Sequence, residues 1–490
     1  MLIPLSFPPG VYRAGTEYQS KGRFYDANLV RWFEGNLRPV GGWRAKSAST
    51  VTGKGRAILT WLTNLSVSWI AIGTESHLYA MSKAGTLSDI TPSGFTSGSA
   101  DAAFVGGYGV GLYGAGDYGT PRPDTSTLTP ASMWTLDTWG EYLVGCMATD
   151  GKIYQWTLNT GTPAAAISGA PTSCRGVVVT SERIMMALGA SGNPRTVKWS
   201  DQEDNTSWSA GPTTKAGDFD LQTTGKLMCG KRLRGETLLL TDVDAHTATY
   251  IGSPFYYGFE RVGTNCGIAS PNACVVVDGQ AFWMGPNGFW VFDGYVKRMA
   301  CDVSDYVFSD INVDQISKAH AVHNSAFGEL WFFYPSSGST EIDRYALFNY
   351  RENHWSIGQV SRLSAVDRGA STYPLMVGND GVVYEHEVGF SYDSDLPFAE
   401  SGPMEMGEGD NVVCCRQLYP DERTQGQVTA SFKVKFYPNG TETSFGPYTL
   451  ENPTDIRFTG RQVKIRYDGV AETDWRVGVP RVEAVAGGLR

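Results

Sequence analysis

Along most of the chain, apolar and polar residues alternate in short runs separated by Gly, Asp and Asn turns. This period of two is the pattern of β-strands rather than helices. One unit recurs: a short apolar strand, a polar or Gly-rich turn, and a second strand ending in an aromatic residue. It is read from Trp69 to Tyr79, Tyr142 to Tyr154, Arg183 to Trp199, Leu238 to Tyr250, Phe282 to Trp290, Leu330 to Tyr345 and Leu375 to Tyr384. The closing aromatics lie 75, 45, 51, 40, 55 and 39 residues apart. The last five intervals average 46 residues, the period of β-propeller blades at about 40–50 residues. The expected fold is therefore all-β, with six to seven propeller-like blades. The longer first interval contains a Gly/Tyr-rich stretch, about 94–130, which reads as an insertion in one blade. Only Asp302 to His320 hints at helix.

After about residue 400 the strands lengthen. Val428, Ala430, Phe432, Val434 and Phe436 share one face of a run, and Lys433, Lys435, Lys464 and Arg466 lie on the polar faces of this run and of Val463–Tyr467. One packed and one wet face suggest a small β-sandwich. The expected organisation is an N-terminal segment at 1–50, a propeller at 51–400 and a C-terminal sandwich at 401–490.

Composition narrows the function classes. Forty Lys and Arg against fifty Asp and Glu leave a net charge of −10. Such a chain is unsuited to wrapping nucleic acid by phosphate neutralisation. Pro4 and Pro8 interrupt the first apolar stretch, which lacks a basic flank, so a secretory leader is not expected. No apolar run reaches the ~18 residues of a membrane-spanning helix. The eight Cys contain no Cys-x-x-Cys pair and read as reduced, buried thiols.

Candidate chemistry is sparse. Gly109-Val-Gly-Leu-Tyr-Gly114 and Gly114-Ala-Gly-Asp-Tyr-Gly119 match the dinucleotide-binding spacing, but no helix pattern follows to receive a pyrophosphate. No cofactor is expected. Three acids between Trp199 and Trp208 suit a calcium loop or, better, a tight turn. His320 and His323 would share a face on a helix, yet no Glu completes a zinc motif. Neither a metal site nor a catalytic residue is expected.

Three segments carry a family resemblance: Gly22 to Trp43, with Arg23, Arg31, Trp32, Arg38 and Trp43; Trp199 to Leu221; and Thr249 to Pro271 with its Ser270-Pro pair. The ending Asp474-Trp-Arg-Val-Gly-Val-Pro-Arg481 adds to them. Together these are similar to the tail hub or nozzle proteins of short-tailed bacteriophages, a group that includes packaged-DNA stabilisation proteins. The resemblance implies a structural virion protein of the tail, assembled in the host bacterial cytoplasm as a hexameric ring beneath the portal and adaptor complex. It implies a channel that double-stranded DNA traverses without sequence-specific binding, retention of packaged DNA, attachment of a tailspike or fibre, and a seat for a needle or plug. It implies no enzymatic activity.

Charge agrees with sliding rather than gripping DNA, because an acidic wall repels phosphates. The expected assembly contacts are Arg23, Arg31, Trp32, Arg38 and Trp43 in the N-terminal segment and Tyr108, Tyr113 and Tyr118 in the insertion. The rival expectation is a propeller glycosidase or lyase, or a carbohydrate-binding tail module, acting on host surface polysaccharide. Its mark would be two carboxylates about 5–10 Å apart at the propeller axis.

Overall fold

The N-terminal fifty residues form five short strands that are distributed through the whole molecule. The computed structural model describes residues 1–105, 127–393, 395–406, 411–424 and 426–489. β1 (Leu2–Pro4) and β2 (Phe24–Asn28) join two different C-terminal sheets, β3 (Val30–Phe33) and β4 (Asn36–Pro39) form a hairpin, and β5 (Trp43–Ala45) enters the propeller. The first blade then opens with β6 (Gly55–Leu62).

The protein is a seven-bladed β-propeller with an appended β-sandwich. Six four-stranded antiparallel meanders occupy 55–89, 134–166, 176–220, 227–263, 274–298 and 320–359. The seventh combines Arg362–Val366, Leu375–Gly378 and Val383–His386 with β5 as its fourth strand. There Ala45 pairs with Tyr384, Arg44 with Glu385 and Trp43 with His386. The first strands of neighbouring blades touch all the way round, and the last step joins Arg362–Val366 to β6. Each repeat seen in the sequence is the second and third strand of one blade. The long first interval holds the connection between blades one and two, where Ala103–Val105 pairs with Thr127–Thr129. The helix hinted at near 302–320 is the short α1 (Ser304–Asp310), followed by a 3-10 turn at Ile316–Lys318.

One sheet of the sandwich runs β1, Arg481–Leu489, Asn411–Tyr419, Thr454–Gly460. The other runs β2, Phe398–Ser401, Gln462–Gly469, Val428–Lys435, Thr443–Thr449. Val428, Ala430, Phe432 and Val434 point into the core, whereas Phe436 lies past the strand end and is largely exposed. On the outer face of this second sheet Lys433 and Arg466 meet Glu400, and Lys435 and Lys464 share Glu17 and Glu442. Buried apolar residues of the sandwich are continuous with those of blades four to six.

Propeller and sandwich are pinned where the chain passes between them. The Asn28 side chain accepts a hydrogen bond from the Gln359 amide at the edge of blade six (2.8 Å), and Val11 donates to the Trp355 carbonyl (2.7 Å). Beside this seam the Arg31 side chain is buried, with Nε 2.8 Å from Glu329 Oε1 and Nη1 2.9 Å from Glu387 Oε2. Asn324 also donates to Glu387 (2.9 Å), and the Phe327 ring covers the guanidinium at 3.7 Å. Gly41 is required here: its amide donates to Glu387 Oε2 (3.0 Å), and a Cβ would come within 2.5 Å of the Glu387 Cα.

Two carboxylates around one guanidinium leave a buried negative excess. Burial works against the Arg31 charge, but Glu329 and Glu387 outweigh it and hold the group protonated beyond its usual range. Burial pushes Glu329 up to about 7 against the pull of Arg31, and Glu387 adds to the rise. Removing the cation strands both acids, so Arg31→Met should lower the unfolding free energy by about 3–5 kcal/mol in urea titrations. Because the folded Glu329 binds its proton more tightly than an unfolded Glu (about 4.3), its contribution is fully present below about pH 4 and is lost as pH rises through about 7. Glu329→Gln should remove that part of the slope of stability against pH, and an unchanged slope would show that Glu329 is ionised throughout.

Candidate functional site

A four-stranded meander fixes which loops share a face. Turns after the second strand, and connections from the fourth strand to the next blade, lie at one end of the axis. Turns after the first and third strands lie at the other. The Arg31 clasp sits at the second end, since Asn324 closes a first strand, Glu329 opens a second and Glu387 follows a third.

Between the ends lies an axial cavity of about 470 Å³. Its polar wall includes Arg56, Lys231, Arg232, Asn272, His323 and Asp367. Asp367 is the one carboxylate on this wall among the described residues. It lies 3.5 Å from His323 Nδ1 and accepts from the Ser325 and Arg368 amides. Burial lowers the His323 pKa, with Asp367 opposing. The paired carboxylates that would mark a glycosidase at the axis are not found among the described wall residues. The cavity is also small, and bonds across the axis close one end of it.

At the end opposite the clasp, the axis is closed by hydrogen bonds that cross it. Asn272, just before blade five, donates to the carbonyls of Arg56 in blade one (3.0 Å) and Trp134 in blade two (3.2 Å). Arg56 is fully buried and holds Glu341 through Nη1 (2.8 Å) and Nη2 (2.7 Å) and the Ala100 carbonyl through Nη2 (2.6 Å). Lys318, also fully buried, reaches Asp101 (2.5 Å) and Glu341 (3.2 Å). Gln315 exchanges hydrogen bonds with both backbone groups of Ala102. The root of the insertion is thus fastened across the axis to the approach to blade six.

The residues singled out in the sequence fall into three groups. Arg31, Trp32 and Trp43 are buried within the chain, so as contacts with another subunit they are corrected: distant parts of the same chain cover them. Trp32 packs against Phe24 and His354, while Trp43 lies beside His386 and Tyr392 and donates to Asp393. Arg23 and Arg38 are partly exposed and pair with Asp302 (2.9 Å) and Asp474 (3.2 Å). Tyr108, Tyr113 and Tyr118 lie outside the described residues, as do the two Gly-rich matches.

Asp201 and Asp204, in the acidic stretch between two Trp residues, serve turns: Asp201 accepts from the Gln202 and Lys215 amides and Asp204 from the Thr206 amide and hydroxyl. His320 and His323 are on a strand, His320–Asn324, and point to opposite sides of it. All eight Cys are free thiols.

Sequence reasoning missed the cap because Arg56, Asn272, Lys318 and Glu341 lie far apart in the chain and match no motif. It also missed the exposed apolar tips at the clasp end. Leu62, Leu65 and Val67 edge the first turn of blade one, Ile251 and Phe255 the last turn of blade four, and Tyr295 that of blade five. Leu65 is 87% exposed, Tyr295 76% and Phe255 74%.

No protein-family model matches the sequence, and no curated protein is similar to it. Among solved structures, a streptogramin B lyase is similar at 9% identity and a TM-score of 0.42, over 70% of this chain and 96% of that one. Virginiamycin B lyase from Staphylococcus aureus follows at 8% and 0.41, over 70% and 97%, and the N-terminal domain of Nup159 at 8% and 0.39, over 70% and 94%. At such identities they say nothing of what this chain does.

The cap should behave as a structural lock. Asn272→Ala removes two hydrogen bonds between blades and should cost about 1–3 kcal/mol of stability in denaturant titrations. Lys83→Ala, on an exposed turn, should stay within about 0.5 kcal/mol of the parent. Equal effects would mean that the bonds across the axis contribute nothing.

Proposed function

We propose that the protein is the tail hub or nozzle of a short-tailed bacteriophage, a ring-forming structural subunit that continues the DNA channel below the portal and adaptor complex. The observation that carries this reading is the surface at the clasp end. Exposed Leu65, Phe255 and Tyr295 crown separate blades on one face, while the ionisable groups around the axis are largely spent on internal partners. Apolar tips distributed over one face suit docking on another protein. The tips on blades one and four lie on separate parts of the seven-blade ring, and a head-to-tail contact between copies uses two different patches.

The axis closed at one end adds a constraint. Duplex DNA cannot thread the propeller, so its path in this reading is the lumen enclosed by several copies. A net charge of −10 suits a wall that DNA slides past. Tailspike or fibre, needle or plug would then engage surfaces of the assembled ring.

Native mass spectrometry of the protein, alone and mixed with the portal and adaptor complex, tests the proposal. The parent chain should form a ring, alone or on the complex. Leu65→Asp and Phe255→Asp, whose side chains are exposed, should fold normally and fail to assemble. A parent chain that stays monomeric in both samples would overturn the reading.

A further inference from the structure

Two pairs of like charge stand on the described surface with no opposite charge against them, and contacts within the chain do not account for either. The first pair is on blade four. Glu236 opens the second strand and Glu260 lies on the last. The ladder sets Glu236 opposite Thr249 and Glu260 opposite Thr247, so both acids stand on one face of the blade. Burial pushes the half-exposed Glu236 carboxyl up, and the charge of Glu260 adds to the rise. Neither carboxylate has a hydrogen bond or ion pair among the described residues, although Arg234 and Arg261 are close in sequence. The pair lies toward the clasp end, where the last turn of blade four carries the exposed Ile251 and Phe255 and blade five carries Tyr295.

The second pair is on the outer face of the first sandwich sheet. Arg416 on Asn411–Tyr419 and Arg457 on Thr454–Gly460 are both exposed. Cys415 pairs with Phe458 and Gln417 with Asp455, and the irregularity between these two positions sets Arg416 beside Arg457. Both line an open hollow of about 650 Å³, together with Gln417, Asp455, Thr459 and Glu483. Asp455 accepts from Gln417 Nε2 (3.0 Å), Glu483 lies across the sheet from Gln417, and neither acid reaches an arginine. Val485, opposite Cys414, and Leu2, opposite Glu483, are exposed apolar neighbours. On the other sheet of the same sandwich Lys433, Lys435, Lys464 and Arg466 all meet acids, so bare arginines are a property of this face alone.

Like charges on neighbouring strands destabilise the sheet that carries them. Two such pairs of opposite sign, on separate parts of one chain, are relieved together when copies meet head to tail, because that contact joins two different patches of the same molecule. Shape agrees with charge. The acids stand beside projecting apolar side chains, and the arginines line a hollow with an apolar border.

We propose that the clasp-end rim of blade four in one copy seats in the hollow of the first sandwich sheet of the next copy, Glu236 and Glu260 meeting Arg416 and Arg457 while Ile251 and Phe255 pack on its apolar border. The partner is a second copy of this chain, and the contact rests on the ring proposed above.

Charge reversal, followed by native mass spectrometry of the full chain alone and on the portal and adaptor complex, tests the pairing. Arg416→Glu with Arg457→Glu, and separately Glu236→Lys with Glu260→Lys, should each raise the concentration needed for half-assembly by roughly tenfold or more. Their unfolding midpoints should stay with the parent, and Lys83→Glu on an exposed turn should change neither quantity. Mixed one to one, the two double variants should assemble again with both chains in equal numbers, since each reversed patch then finds its opposite in the other chain. Parent rings should loosen as salt rises from about 0.05 to 0.5 M. Double variants that assemble as the parent does, or a folded mixture that stays monomeric, would overturn this contact and leave the tail-hub reading in place. A parent chain that forms no ring in either sample would remove both.

Discussion

A ring of seven sheets has one seam, and in this protein the seam is closed by a three-residue strand from the opposite end of the chain. β5 supplies only three paired positions on Val383–His386. So short a ladder would fray if its flanks were free. Its stability comes from what precedes it. Arg31 is fixed between Glu329 of blade six and Glu387 after blade seven, and Gly41 lets the backbone pass against Glu387 at van der Waals limits. A buried ion cluster is a poor source of net stability compared with apolar packing of the same volume, because desolvation offsets most of its attraction. What it provides is position: the guanidinium meets its two acids only when β3, blade six and blade seven are all in register.

From this closure the rest follows. β2 precedes the clasp and β3 carries it, and both pack on the last strand of blade six, so one apolar core runs from the sandwich sheets into blades four to six. The sandwich is then not a module hung on a linker. At the other end of the axis, Asn272, Arg56 and Lys318 bind the approaches to blades one, two, five and six together, and the insertion begins and ends on that rigid base.

Much of the fold was legible because it is periodic. The aromatic-ended strand pairs locate the middle of every blade, and the alternation of Val428–Val434 against Lys433 and Lys435 gave the sandwich its inner and outer faces. What failed was whatever depends on contacts remote in sequence. Arg31, Trp32 and Trp43 look like surface anchors in a Gly- and Arg-rich segment, since nothing local reveals that Glu329, His354 and His386 lie against them. His320 and His323 follow a stretch with helical character, and only the pairing of His320 with Phe333 and His323 with Leu330 makes them strand residues on opposite sides. Leu65 and Phe255 carry the opposite lesson: an isolated apolar residue beside a turn is ordinary in sequence, and only shared orientation at one end of the axis gives it meaning.

The central claim is that the two chain ends and the propeller form a single cooperative body held at the clasp. Native-state hydrogen exchange across a urea series tests it directly. Amides of Val383–His386, of β5 and of Gln462–Gly469 should open together, in one step whose free energy equals that of global unfolding. Opening of β5 and the sandwich at much lower free energy, with the blades still protected, would contradict the account and make the propeller a self-sufficient ring.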